Sequence, residues 1–184
     1  MQKTKLLALF AAIFVASAAF AQSPADGRIA GNSYTNKYFH LDYTWPAILK
    51  PEPIPAADSK TMGSYEFLLF TAKQGNQPFG VAVVAQKLNV AGPHSEGVKS
   101  PAELLDRMHH SLRPNNILTN ITRSQKKSSG GIVFEQLDYA VNGKPSTVLA
   151  TQSGQYVLLF KCAAQNAADL AAMQKSVLAV KLAK

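Results

Sequence analysis

The chain has one cysteine, Cys162, in 184 residues. An intrachain disulfide is therefore impossible, although an exported protein could carry one. Between Phe160 and Ala163 the thiol reads as a small apolar group buried in a strand; an intermolecular bridge or a reactive thiol is the alternative. Charge is also sparse, at 16% of residues, and the eleven acids are scattered, with no spacing that selects a two-carboxylate pair. No Gly-x-Ser-x-Gly occurs, and Gly130-Gly131 lacks the Lys-Ser/Thr and the helix of a phosphate loop. His109 and His110 are adjacent, so on a helix they point about 100° apart, whereas helical metal pairs sit at i, i+4. They read as surface or flanking histidines. His40 and His94 are distant in sequence from them, so no zinc site and no cofactor is expected. Basic and aromatic residues do not interleave, and nucleic acid is not an expected partner. Beyond residue 21 no apolar run approaches the roughly 20 residues that span a bilayer.

What is present begins with a processing signal. Met1–Lys5 carries two lysines and no acid, Leu6–Phe20 is apolar, and Ala19-Phe20-Ala21 is an Ala-x-Ala site. Residues 1–21 therefore read as a cleaved signal peptide rather than a membrane anchor, which predicts an exported protein, periplasmic or extracellular. Cleavage removes Lys3 and Lys5 and leaves seventeen basic against eleven acidic residues, lowering the formal charge from +8 to +6. That bias favours weak attraction to anionic surfaces.

Residues 22–33 are small and polar and read as a flexible leader, ahead of a single domain over 34–184. Tyr38–Trp45 alternates, with Phe39, Leu41, Tyr43 and Trp45 on one side and Tyr38, His40, Asp42 and Thr44 on the other, the pattern of a half-buried strand. Four prolines between Pro46 and Pro55 then make an extended connection. Ser64–Ala72 and Phe79–Leu88 predict a hairpin. Ser100, Pro101 and Glu103 start a helix with capping-box spacing, and Leu104, Leu105, Met108 and Leu112 give it one apolar face. A meander follows over Asn116–Ser124, Ile132–Val141, Pro145–Thr151 and Tyr156–Ala163. Val133, Leu137, Tyr139 and Val141 share a face, and Asn142-Gly143 is its best turn. Asn166 caps a last helix with Leu170, Met173 and Val177 on its apolar side.

Several strands are apolar on both sides. Phe67 and Leu69 oppose Leu68 and Phe70, Val81 and Val83 oppose Ala82 and Val84, and Leu158 and Phe160 oppose Val157 and Leu159. Such strands must be covered on both faces. With two amphipathic helices the economical fold is α/β (α+β): a three-layer α/β/α sandwich with a mainly antiparallel sheet. A closed barrel and a two-layer ferredoxin-like sandwich are the alternatives.

The order of elements resembles the PsbP/Mog1-like family, which includes the extrinsic photosystem II subunit P, the Mog1-type Ran-binding proteins and small exported bacterial relatives. The residues carrying the likeness are Tyr34-Thr35-Asn36, Tyr38-Phe39-His40-Leu41-Asp42-Tyr43, Pro46, and Gly154-Gln155-Tyr156-Val157-Leu158-Leu159-Phe160. Phe39-His40 stands where the family usually has a glycine after its first aromatic. The resemblance implies an α/β/α sandwich and a binding or assembly role, and carries over no functional residue.

The expected protein is thus an exported, non-catalytic binding or accessory module of the cell envelope, its partner a protein or envelope component. The rival classes are a small exported enzyme drawing on His109, His110 or Cys162, and a basic peripheral module. The candidate anionic-surface contacts are Arg123, Lys126 and Lys127, which cluster around one hairpin.

Overall fold

In the computed structural model, residues 23–54, 65–91, 97–113, 117–128 and 130–182 are described. The signal segment 1–21, His94 and Pro114 lie outside them. A seven-stranded antiparallel sheet forms the middle layer, ordered β4 (Lys50–Glu52), β5 (Glu66–Lys73), β6 (Gly80–Lys87), β10 (Tyr156–Ala163), β9 (Lys144–Ser153), β8 (Val133–Val141) and β7 (Leu118–Lys127). Helix α1 (Pro101–Leu112) covers one face. Helix α2 (Ala167–Leu178) and a second, four-stranded sheet cover the other. That sheet is ordered β1 (Gly27–Ala30), β2 (Ser33–Asn36), β3 (Leu41–Thr44) and β11 (Lys181–Leu182). The expected sandwich is present, with a small sheet sharing the layer of α2.

The two-faced strands explain the layering. On β10, Leu158 and Phe160 enter the core beneath the small sheet and α2, while Val157 and Leu159 enter the core beneath α1. On β6, Val81 and Val83 take the first side and Val84 the second. A strand buried on both sides holds the centre of a sheet.

On β5 the parity differs from the expected one. The register steps between Leu68, opposite Val84, and Phe70, opposite Val83. This bulge takes up one extra residue, so Leu69 and Phe70 both join the core on the α2 side. Phe70 therefore does not share a face with Leu68.

Local signals behave as read. The Ser100 hydroxyl accepts the Glu103 N–H at 3.1 Å, and Asn166 Oδ1 accepts the Asp169 N–H at 2.9 Å. The Glu103 carboxylate reaches back to the Lys99 N–H at 2.9 Å, one residue further than the usual box. Asn142 and Gly143 turn β8 into β9 with φ of 49° and 74°, the pair of positive values that a two-residue hairpin of matching twist requires.

Several boundaries move: Lys50–Glu52, in the proline-rich stretch read as a connection, pairs with β5 as a short strand, and β7 runs past Ser124 to Lys127. The expected strand over Tyr38–Trp45 begins only at Leu41. Asn36, buried, takes the Phe39 N–H on its Oδ1 at 3.2 Å and bends the chain into a turn that ends at His40, with φ 48°. A non-glycine residue thus sits in the left-handed region. Phe39 still reaches the core, from the turn rather than from a strand. Part of the stretch read as a leader is also sheet: Gly27–Ala30 pairs with Ser33–Asn36 as β1. Its exposed Arg28, Ile29 and Ala30 show no apolar alternation, because backbone bonds rather than burial hold this strand.

Candidate functional site

The residues singled out from the sequence do not converge. His109 and His110 lie on α1 with ring centroids 6.0 Å apart. Arg113 Nε donates to His109 Nε2 at 3.3 Å, and His110 is exposed. Desolvation, then the nearby Arg113, His110 and Arg123 charges, lowers the His109 pKa below its ordinary value. Cys162 is buried in β10, and burial pushes its thiol up to about 12, so it stays protonated and shielded from reagents.

Arg123, Lys126 and Lys127 all belong to β7, but they are not one patch. Arg123 is committed inward. Its Nε meets Asp106 Oδ1 of α1 at 3.1 Å, and one terminal nitrogen meets Glu135 Oε2 of β8 at 3.3 Å. The guanidinium also donates to the carbonyls of Ala102 and Gln136, each at 3.4 Å. One side chain thus ties the edge of the sheet to α1. Lys127 pairs with Val133, on the α1 face, and Lys126 pairs with Phe134, on the α2 face. The two ammonium groups project from opposite faces of the sheet, and both residues are exposed.

A large concavity lies elsewhere. A cleft of about 1040 Å³ runs over the end of the sheet where β8 and β10 begin and β9 ends. Its wall on the small-sheet side is a cluster of three rings. Tyr38, Phe39 and Tyr156 meet edge to face, with centroids 4.9 to 5.8 Å apart. Burial first, then the hydrogen bond that the Tyr156 hydroxyl donates to Tyr38, raises the Tyr156 pKa. On the other face of the sheet the cleft reaches the first turn of α1, at Ser100, Pro101 and Ala102. Between them lie Gly130–Val133 and Gln152–Gln155.

The polar groups of the cleft are mainly neutral: amides, hydroxyls and backbone. Thr151 donates to the Val133 carbonyl at 2.9 Å. Glu135, its one carboxylate, is engaged by Arg123 and by Gln125. His40 stands at the rim on its strained turn. Tyr38 is 39% exposed and Val133 53%, so apolar surface is on offer. Val133 was expected to share a face with Leu137 and Tyr139; it points to that side, at the cleft, where the sheet ends.

The sequence reading missed this cleft. Its lining comes from the 38–40 turn, the start of α1, two hairpins and β11, and none of these pieces carries a ligand-binding motif. The available signals were Tyr38 on the polar side of its alternation and the Gly154-Gln155-Tyr156 turn. Among the described residues, no group of three or more His, Cys, Asp or Glu is placed to hold a metal ion. No described helix is long and apolar enough to cross a membrane.

No family model matches the chain, and no curated protein does. Solved structures do. The solution structure of cyanobacterial PsbP (CyanoP) from Synechocystis sp. PCC 6803 superposes with a TM-score of 0.55 at 10% identity, over 89% of this chain and 99% of that one. A crystal structure from Bacteroides thetaiotaomicron overlaps with a TM-score of 0.33 at 8% identity, over 85% of this chain and 50% of that one. At 10% identity the first likeness concerns fold alone. Together with the antiparallel sheet held between helical layers, it makes this chain a PsbP-like α/β/α sandwich.

Proposed function

We propose that this protein is an exported, non-catalytic accessory module of the cell envelope that holds a partner in the cleft at the end of its sheet. The observation that carries this reading is the lining of the cleft: three packed aromatic rings on one side, and amides, hydroxyls and backbone groups elsewhere. Such a surface recognises a neutral, partly apolar segment by packing and hydrogen bonds. Its carboxylate is held by Arg123 and Gln125, a structural rather than a chemical employment. The PsbP-like fold supports an accessory role by analogy. Export rests on the Lys3, Lys5 and Ala19-Phe20-Ala21 pattern.

A photocrosslinking residue at Gln155, in the cleft, tests the binding reading against the same residue at Gln77, in the β5–β6 turn at the opposite end of the sheet. Expressed as the full chain in an envelope-bearing cell, the Gln155 variant forms a discrete adduct and the Gln77 variant does not. Equal labelling from both positions would sink the cleft as the contact. A cytoplasmic product still bearing residues 1–21 would sink export.

A further inference from the structure

The two edges of the seven-stranded sheet are treated differently. At one edge β4 has three residues, and the second, Pro51, has no N–H to offer. At the other edge β7 runs for ten residues, and among the described residues β8 is the one strand that pairs with it. Its first half is irregular: the register steps between Thr119 and Thr122, and Asn120 has φ 54°. From Thr122, opposite Asp138, to Lys127, opposite Val133, the pairing is continuous.

That register tells which backbone groups point away from β8. The Ser128 N–H donates to the Ile132 carbonyl at 2.9 Å, so this is a hydrogen-bonded position of the ladder. Antiparallel pairs alternate between bonded and non-bonded. Lys126, Ser124 and Thr122 therefore exchange bonds with β8, and Arg123, Gln125 and Lys127 turn their N–H and C=O groups outward. Three donors and three acceptors stand in a row along one edge.

Charge selects what this row can take. Lys126 and Lys127 are exposed and project from opposite faces, while Arg123 is held by Asp106 and Glu135. A second copy is disfavoured. Antiparallel pairing of two β7 strands about Gln125, the middle of the outward row, sets Lys127 of each copy opposite Arg123 of the other, already held by Asp106 and Glu135, and Lys126 opposite Ser124, so neither lysine meets a free acid. Edge lysines commonly serve against such pairing. An extended segment bearing acids meets no such penalty.

We propose that the outer edge of β7, from Thr122 to Lys127, is a docking strand for an extended acidic peptide segment of a partner protein, which adds to the sheet as an eighth strand. Neighbouring residues of a strand point to opposite faces, so the segment that satisfies both lysines carries two consecutive acids, one for Lys126 and one for Lys127. The surface adjoins the cleft at Gly131, Val133 and Glu135, but no residue of β7 lines the cleft.

The test uses the full chain without its signal and three capped eight-residue Thr/Val peptides, with Glu-Glu, Gln-Gln or Lys-Lys at the centre. The Glu-Glu peptide slows amide exchange at Arg123, Gln125 and Lys127, and binds at least tenfold more tightly than the Gln-Gln peptide. Gln125→Pro removes an outward N–H at a position where an edge strand tolerates proline, and abolishes this protection. The double substitution Lys126→Glu, Lys127→Glu reverses the preference, so that the Lys-Lys peptide binds best. Circular dichroism melts like those of the parent show that both variants fold. Equal binding of the Glu-Glu and Gln-Gln peptides overturns the proposal. So does protection confined to the cleft, or protection of the β7 amides by dimerisation without peptide. Binding to anionic phosphatidylglycerol vesicles, lost in the double variant, with no peptide bound at 1 mM, overturns it in favour of a lipid surface.

Discussion

Trp45 stacks on Phe70, with ring centroids 5.1 Å apart and planes 28° from parallel. The two residues come from different layers. Trp45 follows β3, and its indole N–H donates to the Leu49 carbonyl at 3.2 Å. Phe70 comes from β5 and faces Trp45 only because the bulge after Leu68 turns it to that side. Both are buried, and Tyr34 and Tyr43 pack against the same Phe70 ring. This contact joins the small sheet to the large one. Phe70→Ala is expected to destabilise the protein by about 3–5 kcal/mol. Combining it with Trp45→Leu should reveal a coupling of about 0.5–1.5 kcal/mol beyond the sum of the single changes. Urea titrations followed by far-UV circular dichroism measure both. A Phe70→Ala loss under 1 kcal/mol would mean that the two sheets are held together elsewhere.

Arg123 and Lys126 are neighbours in charge and in sequence but should behave differently. Arg123 bridges α1 and β8 through Asp106 and Glu135, and its side chain is only 19% exposed. Replacing it with methionine leaves Glu135, 16% exposed, without its cation. Hydrogen bonds to charged groups of this kind contribute about 1.5–3 kcal/mol, so Arg123→Met should fall in that range. Lys126→Met should change stability by less than about 0.5 kcal/mol, as exposed charges do. Thermal melts of the two variants side by side decide it, and equal shifts would show that the Arg123 contacts contribute nothing.

The alkaline limb of stability should carry the mark of Cys162. Its folded pKa lies near 12 against an ordinary 9.0, and burial is the cause. A raised acid pKa means that the folded state keeps a proton which the unfolded state releases. The contribution is therefore complete below pH 9, and is lost as pH rises from about 9 to about 12. Buried Tyr34 and Tyr43 and half-buried Tyr139 are raised by burial as well, and act in the same direction at higher pH. Cys162→Val, close in volume, should flatten the fall of the urea midpoint between pH 9 and 12 without removing it. A thiol reagent at pH 8 should label the native protein far more slowly than the urea-unfolded one. Fast native labelling would contradict the burial on which the reading rests.

Legibility from the sequence followed the range of the interactions. Ser100, Asn166 and the Asn142-Gly143 turn act on residues three or four positions away, so the chain itself displays them. The two-sided apolar pattern of Val157–Phe160 announced a central strand, and from that the layers followed. The bulge at Leu69 did not show, because it reflects how β5 fits against β6 rather than anything in β5. Arg123 showed as a charge, but its partners Asp106 and Glu135 lie 17 and 12 residues away, and only the fold makes it a tether. The cleft was hidden for the same reason. Tyr38 and Tyr156 are far apart in sequence and become neighbours only when β3 and β10 face each other across the core.

Gly80 is where the backbone of the sheet approaches too closely for any side chain. A Cβ at this position would lie 2.1 Å from the carbonyl oxygen of Ala72 on the paired strand, and 2.9 Å from the Lys73 Cα. Both obstacles are backbone, so neither can rotate away. Alanine ordinarily favours a strand over glycine by reducing the freedom of the unfolded chain. Here the steric conflict reverses that sign, and Gly80→Ala should cost about 1–3 kcal/mol, the range for overpacking a tight site. The effect should be local to the β5–β6 end, with amide exchange accelerated in Ala72, Lys73 and Val81 and unchanged at the cleft. If Gly80→Ala instead raised the melting temperature, the close approach of β5 and β6 at this point would be refuted.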